Sequence, residues 1–266
     1  MSISISEVYD YLNNLAPLQI QESYDNSGLQ VGSLYQTLKG ILLCVDATQN
    51  AINYAIKKNF NLIISHHPLI FNPLYSINFD SLIGKKISLL IKNEITLLSW
   101  HTPLDKIPEG VTTAFLNKVG FTGSDFILKD EKNQNYGLGR IVYLEKSIKL
   151  LELSQIIKNA TNSWVMIVGN PEEEIDSFGI CAGSGSSLKP HLQKLKINTL
   201  ITSDVKYHSA KDAEEEGFNF IILDHGIMEK FVLEYLKNNL TDFFKEKQLE
   251  IPIEIYEEES PIKIIN

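Results

Sequence analysis

His66 and His67 stand side by side in Ile63-Ile64-Ser65-His66-His67-Pro68, where an apolar run stops. A run of this kind is what a strand buried in a parallel sheet looks like, and ligands in such sheets gather just past the carboxyl ends of the strands. Neutral imidazole is the commonest metal-ligating side chain, so the pair points to a metal site; the alternative is a surface loop that happens to hold two histidines. Neighbouring side chains on extended backbone diverge, which suits two adjacent ions better than one. Asp46, His101 with Asp105, Asp204 with His208, and His225 also follow apolar runs, and of the six histidines only His191 falls elsewhere. His225 and Glu229 are four apart at the start of a helix, which puts imidazole and carboxylate on one face, a turn apart. Taken alone, that pair is more simply a capping histidine followed by a solvated glutamate.

Together His66, His67, Asp105, His225 and Glu229 offer imidazole nitrogens and carboxylates enough for two divalent ions, provided one carboxylate bridges and water fills the open positions. The set contains no thiolate, so it is not a closed structural zinc site. Mixed imidazole and carboxylate ligands fit Zn, Mn, Fe, Co or Ni alike. Two ions roughly 3.5–4 Å apart suit hydrolysis, a bridging water becoming hydroxide near neutral pH and attacking a phosphoryl group or an amide or imine carbon. His101 and His208 are the candidate catalytic imidazoles, placed to shuttle protons or orient substrate. Each is also explained as a hydrogen-bonded loop histidine.

Other segments say less. Gly183 to Ser187 precedes a helix and offers amides to an anion, yet it lacks the Gly-Lys-Ser/Thr ending of a P-loop, and a tight turn accounts for it. Asp25-Asn26-Ser27-Gly28-Leu29-Gln30-Val31-Gly32 shows turn chemistry, in a loop that would approach the site. Lys206 and Tyr207, beside His208, suit either a phosphate or base contact or a plain surface loop. Cys44 and Cys181 lie inside apolar runs and read as core thiols of a reducing compartment.

The elements that must position these residues alternate. Ser4 to Leu15 is a helix with a Ser4/Glu7 capping box, ended by Pro17. Strands are expected at Ile41–Val45, Leu62–Ile64, Ile95–Trp100, Ile141–Leu144, Trp164–Val168, Phe178–Ala182, Thr199–Thr202 and Phe220–Leu223. Helices are expected from Thr48 to about Lys58, around Thr112–Lys118, from about Lys149 to Ala160, and over Ile227–Lys237. Glu250 to Asn266 forms one more strand or an edge extension. This order predicts an α/β fold, two interlinked α/β halves with largely parallel strands and the metal site at strand C-terminal ends between the halves. The polar stretch Gly123–Gly139 places the boundary, giving an N-terminal half 1–127 and a C-terminal half 128–266. No short internal repeat is evident.

The 266 residues bury a core easily. No apolar run approaches the ~20 residues of a membrane span, and Met1–Asp10 lacks the basic start and apolar block of a secretory signal, so a cytoplasmic protein is expected. The net charge of −9 argues against broad binding to nucleic acid or anionic membrane. Arg140 is the sole arginine, so a bidentate arginine clamp for phosphate is nearly out of reach.

At this point the chain resembles the dinuclear-metal, ring-forming proteins known as GTP cyclohydrolase 1 type 2 homologues (YbgI-like). The likeness runs over nearly the whole length. It is carried by Tyr24 to Gly32, Ser65-His66-His67-Pro68-Leu69-Ile70-Phe71, His101-Thr102-Pro103-Leu104-Asp105, Gly183-Ser184-Gly185, Thr202 to His208, and Asp224-His225-Gly226 with Glu229. The resemblance implies that His66, Asp105 and Glu229 hold one ion and His67, His225 and Glu229 the other, with Glu229 bridging. It also implies a toroidal homohexamer, a trimer of dimers, in the compact version without an inserted middle domain. Tyr24 stands where members usually have Trp, Pro103 where Asn is common and Ser203 where Gly is frequent; none is a ligand position. The activity expected is metal-dependent hydrolysis of a nucleotide or related small molecule, GTP cyclohydrolase-type first and phosphoester hydrolysis next. The rival is a non-enzymatic metal-binding ring, scaffold or regulatory protein.

Overall fold

The computed structural model describes residues 2–265. Contacts group them into two compact units: residues up to 104 with 233–258, and 105–232 with 259 onwards. In the first unit, α1 (Ile5–Leu15) starts with the reciprocal Ser4/Glu7 cap and buries Ile5, Val8 and Leu12. β1 (Gly28–Val31), β2 (Ile41–Cys44), α2 (Gln49–Lys58), β3 (Leu62–Ser65), α3 (Leu82–Lys92) and β4 (Thr96–Ser99) follow. The chain passes to the second unit within α4 (Thr102–Lys106).

The second unit contains α5 (Val111–Val119), β5 (Leu128–Lys129), β6 (Gly137–Leu138), β7 (Arg140–Lys149), α6 (Leu150–Thr161) and β8 (Val165–Val168). It continues with β9 (Glu174–Ile180), α7 (Lys189–Lys194), β10 (Thr199–Thr202), α8 (Tyr207–Glu215), β11 (Asn219–Leu223) and α9 (His225–Glu229). The chain then returns to the first unit with α10 (Val232–Glu246) and β12 (Ile253–Ile255).

Each unit has its own sheet and core. The first sheet runs β1-β4-β3-β2-β12, parallel except for β1 against β4. Every residue of β2, β3 and β4 is buried, as central strands covered on both faces are, with Ser65, Thr96 and Ser99 the polar exceptions to their apolar make-up. Leu42, Ile52, Ile63, Leu90 and Leu97 belong to its core. The second sheet runs β7-β9-β10-β11-β8, with β9, β10 and β11 parallel and the two edge strands antiparallel; Ile141, Leu192, Leu200, Phe218 and Phe220 belong to its core. The fold is thus mixed α/β with parallel strands at the centre of both sheets. Among the described residues no helix is long and apolar enough to cross a membrane.

Two local expectations change, and a repeat of long period comes to light. The segment from Gly28 to Val31 leaves the loop and pairs with β4 as an edge strand. The single helix expected over Ile227–Lys237 is two, α9 and α10, and Phe231 in the break sets its ring 6.0 Å from that of Phe115. An internal repeat does exist, too long in period and too diverged for a short-range search. One offset carries β2–α2–β3 onto β10–α8–β11 and relates Leu42 to Leu200, Asp46 to Asp204, Ala55 to Ala213, Phe60 to Phe218, Asn61 to Asn219 and His67 to His225. Backbone details repeat with it: the amide of Phe60 donates to Ala55 O at 3.0 Å and that of Phe218 to Ala213 O at 2.8 Å. Both helices end in a left-handed residue, Asn59 (φ 57) and Gly217 (φ 66), of the types that tolerate it.

Candidate metal centre

In the first unit the ladder between β2 and β3 continues past the strand ends, the amides of His66 and His67 donating to Cys44 O and Val45 O. Ser65 Oγ donates to His67 O at 2.7 Å and lies 2.8 Å from Ser99 Oγ, which steadies the turn. The backbone bends at both histidines, so their rings do not swing to opposite faces as extended chain would place them. Their centroids are 4.9 Å apart, and His101, after β4, joins them at 5.1 Å and 5.4 Å. His66, His67 and His101 bring ligand nitrogens within 4.8 Å of one another.

Each ring is held through Nδ1. That of His66, wholly buried, donates to Trp100 O at 3.1 Å; that of His67 to Asp46 Oδ1 at 3.1 Å; that of His101 to Asp25 Oδ1 at 2.9 Å. The acceptors are a carbonyl and two carboxylates, so the tautomers follow: Nδ1 carries the proton and Nε2 the lone pair. Histidines that bind metal are oriented in this way.

Asp25 is the part sequence reasoning missed. Its side chain is fully buried and accepts from Ser27 Oγ at 2.7 Å, Thr102 Oγ1 at 2.6 Å, the Thr102 amide at 3.1 Å and the Asn26 amide at 2.7 Å, besides His101. Burial pushes its carboxyl up, but the hydrogen bonds from His101, Thr102 and Ser27 outweigh burial and hold it well below the usual carboxylate range. The turn chemistry of Asp25-Asn26-Ser27 was its only sequence signal.

In the second unit Asp224 caps α9 by accepting the Ile227 amide at 3.0 Å. That start puts His225 Nε2 3.0 Å from the nearly buried Glu229 Oε1, while His225 Nδ1 is hydrogen-bonded to Asp204. Burial pulls the His225 pKa down, yet Glu229 and Asp204 outweigh it and hold the imidazole up at about 9; metal and proton compete for the same nitrogen. Asp105 and Glu229 share a neighbour: the Cys181 thiol is pushed up by burial first, and then by the charges of Asp105 and Glu229.

Gly183, at φ +73, leaves room beside this pair. A Cβ there would lie 2.3 Å from Glu229 Oε1 and 3.4 Å from His225 Nε2. Each unit's donors, imidazole nitrogens in the first and an imidazole–carboxylate pair with a cleared approach in the second, are of the kind that fit a borderline divalent ion. The rest of the glycine-serine run is spent internally: the Gly185 amide donates to Thr202 Oγ1, and Thr202 Oγ1 to Gly183 O. His208 stands apart, exposed in the first turn of α8 with its ring against Tyr207. The guanidinium of Arg140 lies 3.8 Å over the Phe126 ring and donates to Pro108 O.

Comparison with known proteins agrees with this architecture. The model of the Duf34/NIF3 (NGG1p interacting factor 3) family matches residues 3–261. The chain is 34% identical over 228 residues to the GTP cyclohydrolase 1 type 2 homolog of Clostridium acetobutylicum, covering 85% of this chain and 84% of that protein. It is 32% identical over 260 residues to the protein of the same name from Clostridium perfringens, covering 95% and 99%. The crystal structure of Staphylococcus aureus hypothetical protein SA1388 matches with a TM-score of 0.93 at 27% identity, over 100% of both chains. With the family model covering nearly its whole length, the chain belongs to the Duf34/NIF3 family.

Proposed function

We propose that the chain is a dinuclear-metal hydrolase acting on a nucleotide or related small molecule, with His66, Asp105 and Glu229 holding one ion and His67, His225 and Glu229 the other. The observation that carries this reading is the shared posture of the histidines. His66, His67, His101 and His225 each commit Nδ1 to an oxygen acceptor, as ligating imidazoles do. Two divalent ions bound there would acidify water and stabilise developing negative charge. The chain supplies the rest: His101, clamped by Asp25, would take or return a proton at Nε2, and the cradle at Gly183 keeps side-chain atoms away from Glu229. His208, exposed on α8, receives no role in this scheme.

The names of the relatives make GTP the first substrate to try. By resemblance we also propose a toroidal homohexamer, and from the composition and N-terminal sequence a cytoplasmic location. Elemental analysis followed by turnover tests it: two ions per chain are expected, with GTP or phosphoester hydrolysis that returns when metal is restored and is lost in His67→Ala. A loaded protein that turns over neither GTP nor a broad phosphoester panel defeats the enzymatic reading. That result favours a metal-binding scaffold, a reading with which the engagement of the sole arginine, Arg140, by Phe126 and Pro108 is consistent.

A further inference from the structure

The repeated β–α–β segment carries two acceptors, Asp46 and Asp204, that the metal reading uses without relating them to each other. Asp46 lies two residues past β2 and Asp204 two past β10; His67 lies two past β3 and His225 two past β11. β2 and β3 are parallel neighbours, as are β10 and β11. Neighbouring strands run about 4.8 Å apart, so side chains equally far past two adjacent ends meet across the gap. In both copies they do: Asp46 Oδ1 accepts from His67 Nδ1 and Asp204 Oδ2 from His225 Nδ1, each pair 21 residues apart. The carboxylates are exposed to the same degree, 56% and 55%. Ion pairs so solvated add little to stability, which leaves orientation as what they provide. Asp204 keeps this contact from a left-handed backbone (φ 54), a conformation non-glycine residues retain where their surroundings demand it.

We infer that Asp46 and Asp204 are a matched pair of positioning residues, one from each copy of the repeat, each taking the Nδ1 proton of its histidine and committing Nε2 to a metal ion. The inference rests on the metal reading above and adds to it two residues and a symmetry: His67 and His225 are the same donor presented twice.

The test uses the full-length protein, stripped of metal and titrated with Zn²⁺ against a chromophoric chelator. Nitrogen-15 NMR of the imidazoles gives a readout independent of turnover. Asp46→Asn and Asp204→Asn are each expected to weaken Zn²⁺ binding about 10- to 100-fold, to a similar extent, and to shift the Nδ1 resonance of their own histidine only. Asp46→Glu and Asp204→Glu should recover part of the loss, which a merely folding role would not produce. If both Asn variants bind Zn²⁺ as wild type does while His67→Ala and His225→Ala have lost it, the positioning inference falls and the metal reading stands. If those alanine variants also bind as wild type does, the metal reading fails and takes the inference with it. An effect from only one aspartate overturns the matched pair.

Discussion

Past their last strands the two copies of the β–α–β segment diverge. After β3 the chain reads His66-His67-Pro68; after β11 it reads Asp224-His225-Gly226. Asp224 accepts the Ile227 amide and starts α9, which carries Glu229 one turn beyond His225. His66, in the matching position, starts no helix and instead adds a second ring, anchored on Trp100 O. One backbone frame thus yields an all-nitrogen cluster in one unit and an imidazole–carboxylate pair in the other. The exchange of an N-capping aspartate for a histidine separates them. The lesson is that the strand ends set where donors stand, while the next residue or two set which donors they are.

The sharpest break in this comparison is predicted at Asp25, which holds His101 outside the repeat. Asp25→Ala removes a buried acceptor of several charge-assisted hydrogen bonds and should cost about 3 kcal/mol or more at pH 7 by urea denaturation. Its sign with pH is fixed by the depressed carboxyl. The stabilisation is fully present above the unfolded carboxylate value of about 3.9 and is lost as pH falls through the lower folded value, so wild type and variant should converge in strong acid. A gap that stays constant with pH would contradict the clamp.

Gly183→Ala and Gly217→Ala compare two left-handed glycines in one unit. At Gly183 the added Cβ meets Glu229 and His225, whereas at Gly217 nothing lies within 4 Å. Gly217→Ala should cost only the backbone term of about 1–2 kcal/mol, while Gly183→Ala should cost more and also lower Zn²⁺ uptake. Equal losses and equal uptake would remove the cradle from the account.

The buried asparagines of the repeat should differ next. Asn61 accepts the Lys39 amide and donates to Thr37 O, whereas Asn219 donates to Thr199 Oγ1. Thermal denaturation of Asn61→Ala should show a loss of about 2–3 kcal/mol, and of Asn219→Ala about 1–2 kcal/mol. The reverse order would contradict the hydrogen bonds assigned to the two side chains. Last is Asp224→Ala, which removes both the N-cap and the acceptor of Ser260 Oγ and should cost about 1–2 kcal/mol, detectable as fraying of α9 by amide exchange at Ile227.

Much of this was legible in the sequence because it follows from local rules. Buried parallel strands advertise themselves as apolar runs, so the ends that carry His66, His67, His101 and His225 could be placed. The Ser4/Glu7 cap and the Thr48 start of α2 followed from hydrogen-bonding chemistry, and both form as expected. What was not legible depends on partners distant in sequence. β1 is a strand because β4 offers it an edge; a strand near the C-terminal end was expected, but not its place beside β2 in the first sheet. Asp25 matters because Thr102 and His101 come to it, and no local pattern says so. The equal Asp46–His67 and Asp204–His225 intervals went unread, because their meaning requires the parallel pairing of β2 with β3 and of β10 with β11.

The most direct test of the central claim is the metal content of the full-length protein after stripping and reloading with Zn²⁺, measured by elemental mass spectrometry beside Glu229→Gln. The account predicts two ions per chain in wild type and a loss of at least one in Glu229→Gln, because that carboxylate is assigned to both. A wild-type chain that takes up none, or a Glu229→Gln chain that keeps two, would contradict it.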